Sequence, residues 1–172
     1  MKRLKSLIIL ALAALFAMPL AAQTTGNEKS FGIKTGYISR NESMLAGIWF
    51  RYSFSEHFRL APDAQVAFRH NDRDALQIDL DCHVPFRFTD GAKVSLYPIA
   101  GINYSSWNRH LTPEQRESDD DVSTRNGYFG LNFGAGTDLR CSETLKLTLD
   151  ARYSLVKSNS GIQISLGIGY IF

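Results

Sequence analysis

The sequence predicts an all-β protein, an eight-stranded antiparallel up-and-down transmembrane β-barrel. Three observations lead to this fold class. Segment after segment alternates apolar and polar residues with a period of two, which is the pattern of a β-strand with two different faces. The amino-terminal segment has the features of an export signal. After it, no stretch is long and apolar enough for a membrane helix; the best candidate, 94–102, contains a proline and a glycine.

Residues 1–22 are predicted to be a cleaved signal peptide, and residues 23–172 to form one β-barrel domain. Lys2, Arg3 and Lys5 precede an apolar run from Leu7 to Leu20, and two alanines follow. This is the order of a secretory signal, and the run is shorter than the roughly 20 apolar residues of a spanning helix. The formal charge of +2 includes these three cations, so the mature chain carries 2 − 3 = −1. We therefore expect no nucleic-acid partner, which would need a clustered basic face.

Four alternating segments follow the signal, over residues 31–37, 47–54, 58–69 and 76–88. Polar loops at 40–43 and 70–74 and a tight turn at 55–57 separate them, as expected between strands of a barrel. The apolar faces of these strands are Phe31, Ile33 and Tyr37; Ile48, Phe50, Tyr52 and Phe54; Phe58, Leu60, Val66 and Phe68; and Leu76, Ile78, Leu80, Val84, Phe86 and Phe88.

The second half of the chain repeats the pattern over residues 94–104, 129–139, 145–155 and 163–172. A hairpin turn at 89–92 contains Asp-Gly, which suits the positive φ of such turns. A long polar insertion, Asn108 to Asn126, separates the fifth and sixth strands. The apolar faces are Val94, Leu96, Ile102 and Tyr104; Phe129, Leu131, Phe133 and Leu139; Leu145, Leu147, Leu149, Tyr153 and Leu155; and Ile164, Leu166, Ile168, Tyr170 and Phe172.

The apolar faces are predicted to contact lipid and the polar faces to line the interior. Aromatic residues lie near the strand ends and aliphatic residues in the middle, as in a lipid-facing band between two aromatic girdles. A soluble β-domain would instead turn its apolar faces inward. Three short turns are predicted to alternate with four longer or more polar loops, which is typical of a membrane barrel with both termini on the periplasmic side.

The polar faces carry both signs of charge in near balance, so that inward-pointing side chains can pair across a narrow lumen. The predicted lumen charge network comprises Lys34, Arg51, Arg59, Asp63, Arg69, Asp79, Asp81, His83, Arg87, Asp138, Lys146, Asp150 and Arg152. Eight strands enclose an interior just wide enough for side chains to fill, so we expect a largely plugged lumen.

No metal site or cofactor is predicted. Cys82 falls within a strand and Cys141 at a turn, so a disulfide between them is not expected, and no Cys/His spacing of a metal site is present. The run from Asp119 to Asp121 lacks the spacing and the later glutamate of a calcium loop. We interpret it as part of a solvated acidic loop.

The carboxy-terminal residues resemble the assembly signal of outer-membrane barrels, a polar residue, a glycine, a hydrophobic residue and a terminal aromatic. These positions are Ser165, Gly167, Tyr170 and Phe172. The wider pattern from Phe31 to Phe172, including 130–136 and 147–153, resembles the small barrels of the OmpX and OmpA-barrel type within the porin-like outer-membrane β-barrel domain. The resemblance implies the outer membrane of a Gram-negative bacterium, contact with its lipid and lipopolysaccharide, and the barrel-assembly machinery as a partner during biogenesis. The peptidoglycan-binding domain of the OmpA type is not expected.

The expected function is non-enzymatic, with a structural role or a role in surface contact through the loop from Asn108 to Asn126. Trp107 is expected on the lipid face. A narrow pore or an accessory subunit of a transport or secretion complex is an alternative. A second alternative, from the same resemblance, is an enzyme that deacylates or acylates lipid A, for which Ser105, Ser106 and His110 lie near the rim. The His-x-Ser pattern of the deacylases is not present at His110.

Overall fold

The structure, a computed structural model, describes residues 27–55, 58–70, 72–87, 93–109, 125–157 and 160–172. All strand pairs in these ranges are antiparallel. The strands are β1 (Lys29–Ile38), β2 (Ser43–Ser53), β3 (Arg59–His70), β4 (Arg73–His83), β5 (Phe86–Arg87), β6 (Val94–Arg109), β7 (Arg125–Arg140), β8 (Leu145–Val156) and β9 (Gly161–Ile171). Within the described ranges, no helix has the length and apolar character needed to cross a membrane.

The sheet closes on itself. The strands follow one another in chain order, β1 pairs with β9, and β4 pairs with β6. The two-residue strand β5 pairs with Leu96 and Ser95 of β6 and so continues the line of β4. Pro85 lies at this break, and proline has no N–H to donate to the ladder. The predicted eight-stranded antiparallel up-and-down barrel is confirmed, with its fourth strand divided in two.

The first and last strands close the barrel through a continuous ladder. β1 lies between β2 and β9, and Ile33 is opposite Ile48 on one side and Ile168 on the other. Beyond the ladder, the backbone N–H of Phe172 donates to the carbonyl oxygen of Lys29 at 2.9 Å. The apolar last strand therefore has its backbone groups paired on both sides.

The two ends of the barrel differ less in loop length than the sequence predicts. We call the end with connections 39–42, 71–72, 110–124 and 157–160 the loop end, and the opposite end the turn end. The expected loop 70–74 is wrong: His70 and Arg73 pair with each other after a bulge in β3, and only two residues connect them. Asp72 has a φ of 57°, which a tight turn needs and aspartate tolerates. The connection 39–42 and the link between His70 and Arg73 are therefore both short.

Among the strands that the structure describes, β6 and β7 are the longest. Each strand has 16 residues, and their pairing extends to Asn108 opposite Arg125. The pairing of β7 with β8 begins only at Gly130, so 125–129 lie beyond the end of β8. The predicted insertion, Asn108 to Asn126, is therefore strand at both of its ends. Residues 110–124, including the acidic run, lie outside the described ranges.

The outer surface of the barrel is apolar and the inner surface is polar. On β9, Leu166 is 55% exposed while its neighbour Ser165 is 2% exposed. The same alternation runs through β1, β4 and β8, because successive side chains of a strand point to opposite faces. A closed barrel with this sense of alternation presents its apolar side chains to lipid.

Candidate functional site

The barrel interior brings together most of the predicted lumen charge network. Among the described residues, five cations and five carboxylates have side chains that are 90% or more buried. They are Lys34, Arg51, Arg59, Lys146 and Arg152, and Asp63, Asp79, Asp81, Asp138 and Asp150. Burying an unpaired charge is costly, so the equal numbers of the two signs are what a dry interior requires.

One group of ion pairs, the Arg152 cluster, connects β8 with β3 and β4. The guanidinium of Arg152 lies 2.9 Å from Asp63, 2.5 Å from Asp81 and 3.4 Å from Asp79. The ammonium of Lys34 lies 2.8 Å from the other carboxylate oxygen of Asp63. Two cations thus face three carboxylates, and all five side chains are shielded from water.

A second group, the Arg51 cluster, lies nearer the turn end. Arg51 donates to both Asp138 and Asp150, the latter at 3.0 Å, and Arg59 donates to Asp138 at 2.6 Å. The hydroxyl of Tyr97 donates to Asp150 at 2.5 Å and lies 3.2 Å from Asp138. These contacts join β2, β3, β6, β7 and β8, so the cluster bridges the barrel rather than lining one wall.

Glu28 extends the Arg51 cluster to the turn end, a residue that sequence reasoning missed. Its carboxylate accepts from Arg140 and lies 3.4 Å from the ammonium of Lys146. Lys146 also lies 3.9 Å from Asp138. Glu28 precedes β1, where no strand alternation assigns a direction to its side chain, so the period-two pattern could not have found it.

Amide side chains fill the interior around Asp79. Asn103 donates to Asp79 at 2.5 Å and Asn132 donates to it at 3.0 Å. Gln65 and Gln163 also exchange a hydrogen bond of 2.8 Å across the barrel. We call these residues, with Gln77, the amide layer. The alternation of the sequence also places these amide residues on the inner face, but the predicted lumen network included only titratable residues.

A cluster of apolar side chains, which we call the apolar cap, lies in the interior toward the loop end. It consists of the buried residues Ile38, Leu45, Ala67, Ala75 and Trp107, with Tyr128 packed against them. The expectation that Trp107 lies on the lipid face is wrong, because the side chain is 7% exposed and packs in this cap. Trp107 lies three residues after the outward Tyr104, and an odd spacing on a strand places it on the opposite face.

The turn 39–42 folds over this cap. Arg40 donates to Gln77 of the amide layer at 2.6 Å, and its guanidinium carbon lies 5.6 Å from the centre of the Trp107 ring. The buried Asn41 donates to the backbone carbonyl of Arg73 at 2.9 Å. Residues 39–42 are thereby held against β4 at the loop end by two hydrogen bonds.

Three members of the predicted network stand apart from the ion pairs. Arg69 lies outside the interior: its side chain is 59% exposed and pairs with Asp72 at 2.6 Å, since the bulge in β3 redirects the strand end. His83 is buried and stacks on Tyr97, with ring centres 4.6 Å apart, instead of forming an ion pair. Arg87 belongs to β5, whose side chains lie outside the described part of the chain.

Two interior aromatic residues, Trp49 and Tyr97, were not predicted as part of the site. The guanidinium of Arg51 lies near both rings, 4.7 Å from the centre of the Trp49 ring and 5.2 Å from that of Tyr97. Inward glycines make room for them: a Cβ at Gly169 would collide with Trp49, and a Cβ at Gly136 would collide with Tyr97. Glycines at inward positions of the strands could have indicated in the sequence that large side chains occupy the interior.

The four residues that resemble an assembly signal lie on both faces of β9. Ser165 is buried on the inner face, and Gly167 faces inward against Trp49 and Thr148. Tyr170 and Phe172 are exposed on the outer face, with ring centres 6.4 Å apart. Their role in assembly stays a prediction.

The rim residues of the enzyme alternative are not assembled into a catalytic group in the described chain. Ser105 is fully buried in the interior, whereas the hydroxyl of Ser106 accepts from Arg125 at 2.8 Å. His110 lies outside the described ranges. Within those ranges, no group of three or more His, Cys, Asp or Glu side chains is placed to hold a metal ion.

The fold is shared with outer-membrane barrels of known structure. The amino-terminal β-barrel domain of OprF from Pseudomonas aeruginosa aligns with a TM-score of 0.70 and 18% identity, covering 86% of this chain and 98% of that one. OprG from the same organism aligns with a TM-score of 0.66 and 14% identity over 86% and 96% of the two chains. Ail from Yersinia pestis, in complex with the heparin analogue sucrose octasulfate, aligns with a TM-score of 0.60 and 17% identity, covering 86% of this chain and 100% of that one.

A search of curated proteins finds no match. The family described as "Outer membrane protein beta-barrel domain" matches residues 7–172, which is nearly the whole chain. The closed barrel, its apolar exterior and its ion-paired interior agree with that match. The chain belongs to the outer membrane protein β-barrel domain family.

Proposed function

We propose that this protein is a non-enzymatic outer-membrane protein of a Gram-negative bacterium, with a largely plugged lumen and a loop end that contacts molecules outside the cell. In this proposal, residues 1–22 are a signal peptide that is removed on export. The barrel anchors and orients the loop end, and the interior contributes stability rather than transport.

The filled interior is the observation that carries this proposal. From the turn end to the loop end, the Arg51 cluster, the Arg152 cluster, the amide layer and the apolar cap follow one another. Each charged group is directed at a partner on another strand, whereas the walls of an ion pathway need charges that face water. An eight-stranded barrel has little width left once such side chains are in place.

The height of the β6–β7 hairpin supports a contact role for the loop end. Its residues 125–129 lie beyond the end of β8, and Phe129 on this hairpin is 74% exposed. Binding residues are found disproportionately on loops that a rigid scaffold positions. Ail, a barrel of the same fold, is named as an attachment invasion locus protein and was solved with a heparin analogue, which supports a contact role for a barrel of this fold.

Conductance measurements on the purified protein in a planar lipid bilayer test the plugged lumen. We expect no steady current steps under conditions in which a general porin, as the positive control, conducts. Reproducible steps from this protein, absent when heat-denatured protein is added, would overturn the proposal of a closed interior.

An epitope inserted between Glu117 and Ser118 tests the direction of the loop end. We expect antibody to label intact cells that export this variant, because the loop end faces outward. Labelling only after the outer membrane is permeabilised would reverse the orientation. Lipid A from the same cells should show an unchanged acyl-chain pattern by mass spectrometry, and a lost acyl chain would overturn the non-enzymatic role.

A further inference from the structure

Two arginines lie directly opposite each other at the mouth of the barrel. Arg73 of β4 is in register with Arg109 of β6, two residues along each strand from the pair of Ala75 and Trp107. Because residues two apart in a strand share a face, both arginines extend from the face that carries the apolar cap. His70 of β3 is in register with Arg73 on its other side, so three basic residues cross three neighbouring strands in one row.

Within the described ranges, the two arginines differ from the cations of the interior in having no carboxylate partner. Neither Arg73 nor Arg109 has an ion pair in the part of the chain that the structure describes, and both are exposed. Two described carboxylates near the pair have other partners, Asp72 with Arg69 and Asp74 with the amide of Asn108. Like charges directly opposite each other on a sheet are destabilising, unless an anion lies between them.

The apolar cap next to this pair contains a hydrogen-bond donor that has no partner among the described residues. The indole nitrogen of Trp107 is buried and has no hydrogen-bond partner among the described residues. A buried polar group without a partner in a native protein calls for an explanation, such as a bound water or ion. The guanidinium of Arg40 lies above the same ring. A guanidinium and a buried N–H donor therefore lie at the same ring, two residues from Arg109 along β6.

From this juxtaposition we propose that Arg73 and Arg109 form a binding site for an oxyanion, a phosphate or sulfate group carried by a soluble ligand outside the cell. Guanidinium groups bind such groups through paired N–H donors, and two of them can hold one tetrahedral anion. The row lies on the inner face of the strands at the mouth, whereas headgroups of the bilayer meet the outer face. The site rests on the proposed contact role of the loop end and names the ligand chemistry for it.

Tryptophan fluorescence tests the site in the whole exported chain, reconstituted in phosphatidylcholine nanodiscs and titrated with inorganic pyrophosphate. Trp107 lies under the site, and a Trp49→Phe background makes it the reporter. We expect a saturable change in fluorescence. The double variant Arg73→Gln and Arg109→Gln should weaken binding by about tenfold or more, because two charged hydrogen-bonding groups are lost. Both side chains are exposed, so the variant is expected to fold.

Arg69→Gln is the matched control, since Arg69 is an exposed arginine of the same rim that already has a carboxylate partner. Its affinity for pyrophosphate should stay within about twofold of the parent protein. Absence of saturable binding, or equal binding by the double variant, would overturn the site. A fluorescence change that requires phosphatidylglycerol in the nanodisc, and not pyrophosphate, would place the anion in the membrane and overturn the soluble ligand. The conductance measurement does not depend on pyrophosphate binding. If the protein does not conduct and does not bind pyrophosphate, the anion site is overturned and the proposed closed interior is not.

Discussion

Replacing Arg152 with methionine removes the cation that serves three buried carboxylates. Methionine keeps much of the side-chain length, so the change is mainly one of charge. Without the guanidinium, Lys34 at 2.8 Å from Asp63 is the remaining cation of the Arg152 cluster, and Asp81 loses its contact at 2.5 Å. Breaking a buried ion pair by removing one partner costs about 3–5 kcal/mol, because the other charge stays buried. We expect a loss of that size in the free energy of unfolding.

Urea unfolding in lipid vesicles measures this loss, with tryptophan fluorescence as the signal. Arg69→Met is the matched control: its ion pair with Asp72 is exposed, and such pairs contribute about 1 kcal/mol or less. Adding Asp81→Asn to Arg152→Met should recover about 1–2 kcal/mol, because one uncompensated charge is removed. If Arg152→Met unfolds within about 1 kcal/mol of the parent and of the control, the ion-paired interior does not hold as described.

Three further substitutions probe other layers of the barrel. Leu166→Arg places a charge in the middle of the lipid face and should cost about 2–4 kcal/mol in vesicle unfolding experiments. Gly136→Val forces a side chain into the Tyr97 ring and should cost about 1–3 kcal/mol in the same assay. Arg40→Ala removes the contact over the apolar cap and should increase acrylamide quenching of Trp107, measured in a Trp49→Phe background.

Each of these has a control on the same strand or turn. Ile164→Leu keeps the lipid face apolar and should leave stability nearly unchanged, and Gly136→Ala should cost less than the valine. Equal stability of Leu166→Arg and its parent would contradict the lipid-facing assignment of β9. Unchanged quenching in Arg40→Ala, with Glu42→Ala as the turn control, would show that Arg40 does not cover the cap.

The period of two was sufficient to predict the barrel, because the same alternation decides both the strand and the face. It assigned Leu166 outward and Ser165 inward without any knowledge of their neighbours. It also predicted the ten charged side chains that the structure buries in the interior, since an arginine or aspartate on that face must find a partner. Register is different: which carboxylate meets Arg152 depends on the stagger of strands that are far apart in sequence.

Most of the misplaced or missed residues lie where simple alternation fails or does not apply, and Trp107 is the exception. A bulge in β3 moves Arg69 out of the interior, and a bulge leaves no trace in the hydrophobic pattern. Polar residues near Arg73 and Arg109 indicated loops, yet they are strand, because a rim above the membrane needs no apolar face. Glu28 lies before the first strand and has no phase to follow. Trp107 follows the alternation and faces inward; the lipid-face prediction rested on its being aromatic and did not use its position in the strand.

The two tryptophans provide the most direct test of a filled interior inside an apolar exterior. The chain has two, Trp49 and Trp107, and their exposed fractions are 3% and 7%. The measurement is fluorescence quenching of the unmodified protein in vesicles, with acrylamide in the water or with brominated lipid in the bilayer. We predict that both quenchers have little effect on the folded protein, and that acrylamide quenches strongly after unfolding. Strong quenching of the folded state by acrylamide would indicate a water-filled lumen, and strong quenching by brominated lipid would indicate reversed faces; either result would contradict the central claim.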